Sequence, residues 1–517
     1  MGGRPQYARW EQLIGERHTD MAERQPLSAA GRVVVLGGGL AGIAAALDCS
    51  AAGAQVTLVE VRPRLGGAAY SFEREGLQID NGQHVFLRGC PAYRALLQRL
   101  GSGHLLAIQP RLEIPVLKPG SKRAVLRRGV LPAPLHLAGA LARYPHLTVP
   151  QRMSAARAAL ALARLDPADA AVDAVRFGDW LADHGQGPNA VEALWDLIAL
   201  PTLNLPAAEA SLALGAFVFK NGLLSGADAG DIGFHSATLS QTIGEPAARE
   251  LSRAGVEVRL GWRAERLSRT AAGLQVHGQG PSGPAILSGQ GRELQADQDG
   301  SWSSSRDAEV LTAAAAILAV GHTRAGALLE PLLGAPARKL DALGSSPIVN
   351  LHVVYDRVVC DERFAAGVGT PVQYVFDRTA AGGAPPGCQY LAVSLSGAEA
   401  EMRMSVDALR ERYLPALQEL FPRTREAKVE RFLATREHAA TFRAAPGVGS
   451  LRPGPETSVP GLALAGTWTD TGWPATLEGA VLSGHAAATE ALGALGVEAR
   501  GGASLAVAAA GPSRAGA

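Results

Sequence analysis

The stretch VVVLGGGLAGIAAALDCSAAGAQVTLVE, Val33 to Glu60, restricts the fold more tightly than any other part of this chain. An apolar strand ends at Leu36, and Gly37, Gly39 and Gly42 follow in the spacing G-x-G-x-x-G before an alanine-rich helix. The first glycine permits a tight turn, the second lets backbone approach a pyrophosphate, and the third lets helix and strand pack closely. The helix start then offers free N–H groups and the positive end of its dipole to phosphate oxygens. Glu60 closes the second strand, where a carboxylate accepts hydrogen bonds from a ribose diol and disfavours a ribose 2′-phosphate. The stretch therefore predicts a β-α-β unit that holds a dinucleotide, FAD or NAD.

The next residues favour the longer ligand. In VRPRLGGAAYSFEREGLQIDNGQH a second glycine pair, Gly66 and Gly67, lets backbone approach something extended, and Arg64 can neutralise phosphate. A ligand that runs on past its pyrophosphate, as FAD does, suits that pattern.

With 517 residues the chain exceeds one hydrophobic core, which predicts two interleaved domains. A formal net charge of +1 gives no electrostatic case for nucleic acid as a partner. Cys49, Cys90, Cys360 and Cys388 form no CxxC pair, so neither a disulfide framework nor a metal site is indicated and a cytoplasmic setting is expected. The first 30 residues lack the apolar core of a secretion signal, and Gln6 stands where a myristoylation pattern needs Ser or Thr. They read as a disordered extension, as do residues 496–517, while no apolar run is long enough to span a bilayer.

Apolar spacings of three and four predict helices in RMSAARAALALARL and VEALWDLIALPTLNL. GVEVRLGWRAERLS reads as two short strands, AAAAILAVG as a buried one, and SPIVNLHVVYD and PVQYVFD as alternating ones. Residues 278–309 are polar and rich in Gly, Ser and Asp, which predicts an extended hairpin loop or a partly disordered insertion.

The N-terminal motif, with DNGQH at Asp80 to His84, LPAPLHL, SPIVNLHVVYDR and TGWPATLEGAVLSG at Thr471 to Gly484, resembles the FAD-containing amine oxidase and phytoene desaturase superfamily. Within it the combination is similar to the hydroxysqualene dehydroxylases of bacterial hopanoid synthesis, from about Arg32 to Leu492. The resemblance implies an α/β fold, with a Rossmann-like FAD domain of discontinuous segments (residues 31–115, 230–340 and 441–495). A mixed α+β substrate domain (116–229 and 341–440) would be inserted into it. It implies non-covalent FAD held by Gly37, Gly39, Gly42, Glu60, Arg64, Gly66 and Gly67, with the backbone at Ala264 beside the adenine. Gly466, Thr467, Ala475, Thr476, Gly479 and Ala480 would bring a helix N-terminus under the flavin. Two positions depart from the pattern: Thr467 replaces an acid, with Asp470 the nearest substitute, and Ala68 replaces an arginine.

The implied reaction removes an allylic hydroxyl from hydroxysqualene and gives squalene. It needs an electron donor that the sequence does not identify. His84 and Gln83 are the candidates for polar assistance, Asp80 is expected to fix its turn, and Trp473 and Pro474 to wall the cavity. His136, His146, His352 and His438 are expected to be structural or at the surface. An isoprenoid lipid has to be collected from a bilayer, and residues 122–147 interleave arginine with apolar residues. They are expected to touch the inner face of the membrane, with Arg127 and Arg128 meeting anionic lipid. The alternatives are a carotenoid or phytoene-type desaturase, and an inactive isoprenoid-binding paralogue suggested by Thr467.

Overall fold

Strands that are apolar at every position need cover on both faces, and the central sheet meets that need on both sides. The computed structural model describes residues 31–281 and 306–497. Strands β1 (Arg32–Leu36), β2 (Gln55–Glu60), β3 (Glu257–Leu260), β4 (Ala315–Leu318) and β5 (Leu462–Leu464) form one parallel sheet in the order β3-β2-β1-β4-β5. Val33 and Val35 of β1 pack with helix α1 (Leu40–Ala51) and helix α2 (Leu477–Ala494). Val34 and Leu36 point the other way, into a core with Leu267, Leu274, Val276 and Leu311 of the antiparallel strands Arg263–Thr270, Gly273–Pro281 and Arg306–Ala313. Helices α1 and α2 meet at glycine: a Cβ on Gly484 would lie 2.2 Å from the Ala41 carbonyl oxygen. Sequence order reverses between β1 and β4, so the ends of these strands form the switch point at which α/β sheets bind ligands.

A seven-stranded sheet lies beyond, in the order Val429–Thr441, Ser346–Tyr355, Gln389–Ser396, Tyr374–Asp377, Phe364–Gly367, Glu113–Leu117, Ala124–Arg127. Along Ser346–Tyr355, Val349, Leu351, Val353 and Tyr355 pack under the helix Val406–Leu420 through Leu409, Tyr413 and Leu417. The alternate positions, Asn350, His352 and Val354, face the opposite way, where Val354 packs with Leu77 and Ile79 of the hairpin that ends at Asp80. The sheet thus turns its polar positions toward the DNGQH segment.

The two ends of the stretch 278–309 pair antiparallel from Gly278↔Glu309 to Pro281↔Arg306, as its extended-hairpin reading expects. Its remaining part, with the expected extension 1–30 and tail from 498 on, lies outside the described residues. The helix predicted from Arg152 begins at Val149, since Thr148 and Gln151 form a reciprocal cap. Helix 191–205 contains a π turn at Val191–Trp195 and ends at Leu203, before left-handed Asn204.

Arg127 and Arg128, expected to meet lipid, both make ion pairs. Arg127 pairs with Glu113. Arg128 grips the buried Asp231 carboxylate through Nε at 2.6 Å and Nη2 at 2.9 Å, and Arg88 adds a bond at 3.0 Å. Burial by itself would raise the Asp231 carboxyl, but the bonds from Arg128 and Arg88 outweigh it and hold the group below its ordinary value.

Candidate active site

The glycine motif and the second glycine pair fold against each other. Gly37 has φ +113° and donates its N–H to the Val59 carbonyl at 2.8 Å; a Cβ there would lie 2.3 Å from the Ala319 oxygen at the end of β4. A Cβ on Gly42 would sit 1.9 Å from the Gly37 oxygen, so α1 starts hard against the turn. Gly39 bridges Gly66, whose N–H donates to the Gly38 carbonyl at 2.9 Å. Gly67 has φ +58°, and a Cβ on it would lie 2.8 Å from the Gly39 Cα. The result is a trough walled by bare backbone at the N-terminus of α1, a helix whose start carries no side-chain cap.

Glu60 sits at the end of the trough. Its carboxylate accepts the Gly38 N–H at 2.7 Å and the Arg62 N–H at 2.7 Å, leaving lone pairs on both oxygens. Burial pushes the Glu60 carboxyl up from its ordinary value, opposed by those two donors and by the Arg64 charge. Arg64 donates to the Gly67 carbonyl at 3.1 Å and lies 3.3 Å over the Tyr70 ring, so it is held rigidly beside the second glycine turn. Ala264 stands at a bulge in its strand, and its carbonyl accepts from the Arg324 guanidinium, which occupies part of the backbone expected beside an adenine.

The C-terminal motif returns to the same sheet edge. Gly466 follows β5 with φ +136° and donates its N–H to the Ser483 hydroxyl at 2.8 Å. Thr476 caps α2, accepting the Gly479 N–H at 3.1 Å, and a Cβ on Gly479 would lie 3.0 Å from the Pro474 oxygen. Ala475 packs with the core on one side of the sheet and Ala480 with that on the other. Trp473 meets Phe217 edge-on at 5.1 Å, and Pro474 is buried beside it. Thr467 is half-buried, and Asp470 is exposed and accepts the Gly472 N–H in a local turn. Ala68 is exposed, with its carbonyl accepting from Asn81.

Sequence reasoning missed Arg452, Glu478, Arg378 and Asn350. Buried Arg452 donates to the carbonyls of Thr469 at 2.6 Å and Trp473 at 2.7 Å and so shapes the loop before α2. Glu478 accepts the N–H groups of Ala92 and Tyr93 at a helix start. Arg378 pairs at 2.6 Å with Asp80, which also accepts from Ser71 and Leu239, so Asp80 fixes its turn as expected. Asn350 could have been found from the polar interruption in IVNLHVVY, an otherwise apolar alternating strand.

Asn81 ties the DNGQH segment to the second glycine turn through Ala68 and Tyr70, which brings His84 and Gln83 to the trough's side of the seven-stranded sheet. His84 lies deep among protein atoms yet keeps part of its surface open, as a residue lining a cleft does. Burial pushes its imidazole below the ordinary value. Its Nδ1 is 3.1 Å from the Gly82 carbonyl, which assigns the proton to Nδ1 and leaves Nε2 as an acceptor in the neutral form. His352 is buried between the Tyr390 hydroxyl at 2.7 Å and Thr435 at 3.1 Å, a structural role. Among the described residues no helix is long and apolar enough to cross a membrane.

A backbone trough at a helix start, an open carboxylate at its ribose end and a second helix N-terminus on the same face of the sheet fit FAD. The family described as flavin containing amine oxidoreductase matches residues 40–492. Hydroxysqualene dehydroxylase of Rhodopseudomonas palustris is 30% identical over 471 residues, 89% of this chain and 98% of the relative. A probable zeta-carotene desaturase of Synechococcus elongatus is 24% identical over 90% of this chain and 100% of its own. An oxidoreductase of known structure from Methanosarcina mazei superposes with a TM-score of 0.65 at 18% identity, over 88% of this chain and 98% of that one. That last likeness concerns the fold, and it agrees with the α/β architecture expected from the sequence. The chain therefore belongs to the flavin-containing amine oxidoreductases, grouping among them with the hydroxysqualene dehydroxylases, and is an FAD-dependent oxidoreductase.

Proposed function

We propose that this enzyme removes the allylic hydroxyl of hydroxysqualene and yields squalene. The observation that carries the reading is the match to a hydroxysqualene dehydroxylase across 98% of that relative's length. In this reading Gly37, Gly39, Gly42, Gly66 and Gly67 hold the FAD pyrophosphate, Glu60 the ribose, and the N-terminus of α2 the flavin's pyrimidine edge. When bound and reduced, FAD supplies a hydride equivalent to the carbon that loses its oxygen. The chain's own residues bind the alcohol, orient it and deliver a proton to the departing oxygen. The decisive experiment incubates flavin-reduced protein with hydroxysqualene without oxygen. Squalene as product supports the reading; unchanged alcohol, with desaturation of a carotenoid precursor by the oxidised enzyme, replaces it.

His84 is the proposed proton donor, and the lowered imidazole value gives that role a sign. Only protonated His84 can hand over a proton from Nε2, so kcat/KM is expected to fall as pH rises through a value below about 6.5. His84→Ala should remove that limb and slow turnover by roughly 100-fold with flavin content unchanged. A pH profile identical in the two proteins rules out the role.

The same reading calls for contact with a bilayer. Residues 114–165 hold nine Lys or Arg and no Asp or Glu, although the whole chain carries only +1. Within them Val130 is 90% exposed, and Leu131, Leu135, Val149 and Met153 are each more than half exposed, with Lys122, Arg143 and Arg157 exposed beside them in sequence. We assign lipid contact to these residues, in place of Arg127 and Arg128. Val130→Asp/Leu131→Asp is expected to weaken sedimentation with phosphatidylglycerol-containing vesicles by tenfold or more; unchanged co-sedimentation excludes the assignment.

A further inference from the structure

We propose that the carboxamides of Asn350 and Gln83 form the seat of the substrate's hydroxyl group, Asn350 accepting its hydrogen bond and Gln83 donating one. The inference rests on the dehydroxylase reading and adds two residues that read the functional group itself.

Asn350 is completely buried in the seven-stranded sheet, opposite Thr435 on one neighbouring strand and Ser394 on the other. Its Nδ2 donates to the Asn81 carbonyl at 3.1 Å. Only the nitrogen end of the amide can make that bond, so the orientation is fixed and Oδ1 is directed elsewhere. Among the described residues this oxygen is buried without a partner, and so is Nε2 of Gln83. Gly82 lies beside both residues' segments. A Cβ built on Gly82 would lie 3.2 Å from Cε1 of His84 and 3.9 Å from Nδ2 of Asn350, and Gln83 joins Gly82 to His84. Gln83 is itself only half-buried, which leaves its side chain beside the open surface of His84.

A buried amide group without a partner is costly, and folded proteins rarely keep one unless a ligand or an ordered water completes it. The missing partner of Asn350 is a donor and that of Gln83 is an acceptor. An alcohol supplies both from one oxygen, whereas an ammonium only donates and a hydrocarbon polyene does neither. A site whose amides wait for a hydroxyl therefore discriminates against the hydrocarbon analogue, since binding it leaves both groups buried and unsatisfied. Product release is also favoured, because squalene cannot use the seat that its precursor occupied.

The test uses FAD-loaded full-length protein in detergent, titrated separately with hydroxysqualene and squalene and followed by perturbation of the flavin absorbance. The native protein should bind the alcohol at least tenfold more tightly than the hydrocarbon. Asn350→Leu and Gln83→Met should each weaken the alcohol by about tenfold while leaving squalene binding, flavin content and the unliganded spectrum unchanged. The Gln83 variant, on a partly open segment, answers the question if Asn350→Leu does not fold. Equal loss for both ligands, no loss for the alcohol, or an altered flavin spectrum in the variants overturns the proposal, the last by assigning the amides to the cofactor. A native protein with no preference for the alcohol overturns it too. One that prefers the alcohol yet produces no squalene overturns the reaction alone.

Discussion

Gly39→Ala should give a protein that folds normally and has lost its FAD. The backbone at Gly39 has φ −78° and ψ 179°, values open to alanine. The nearest protein atom to the new Cβ, the Gly67 Cα, would be 3.7 Å away, an ordinary contact. Nothing in the folded chain opposes the substitution, so its only cost falls on whatever occupies the trough. A pyrophosphate lying against bare backbone is pushed off by a methyl group, and FAD affinity should drop by at least about 100-fold, ~2.7 kcal/mol. Flavin absorbance after gel filtration and thermal melting of the apo-protein together read the outcome. A yellow variant with one flavin per chain shows that the pyrophosphate lies elsewhere. Gly42→Ala is the contrast: its Cβ would sit 1.9 Å from the Gly37 oxygen, so it should lower stability as well as flavin content.

Arg378→Ala is expected to be among the most damaging single truncations outside the cofactor trough. The Asp80 side chain is 4% exposed, Arg378 is 14% exposed, and their 2.6 Å contact joins the seven-stranded sheet to the turn before Gln83 and His84. Removing the guanidinium leaves a buried carboxylate with only the Ser71 hydroxyl and the Leu239 N–H, a loss of about 3–5 kcal/mol. The denaturation midpoint should fall accordingly, and Asn81 to His84, anchored through Asp80, should lose their fixed positions. The double variant Arg378→Ala/Asp80→Asn should recover much of the stability, because it removes the stranded charge. A double variant no more stable than the single one would mean that packing of the arginine stem, and not its charge, holds the turn.

The cofactor end was legible for a physical reason. A pyrophosphate bound by backbone needs glycines at fixed intervals, and an acid at the end of the second strand follows from the length of the β-α-β unit. Those demands are local, so Gly37, Gly39, Gly42 and Glu60 stand within 24 residues of one another. The buried strands were legible too, because apolar runs such as AAIL and alternation such as IVNLHVVY report how many faces are covered. The arginines of residues 122–147 were harder to read. Arg128 looked free because its partner, Asp231, lies 103 residues away.

By itself the sequence determined the dinucleotide turn, the α/β class and the family, since each depends on residues whose spacing is set by one strand or one helix. The tertiary structure decided which polar groups face one another. Asn350 and Gln83 are 267 positions apart, and Asp80 and Arg378 are separated by 298. Only the pairing of sheet with hairpin brings such groups together, because the choice of partner for a buried polar group depends on packing and not on neighbours in the chain.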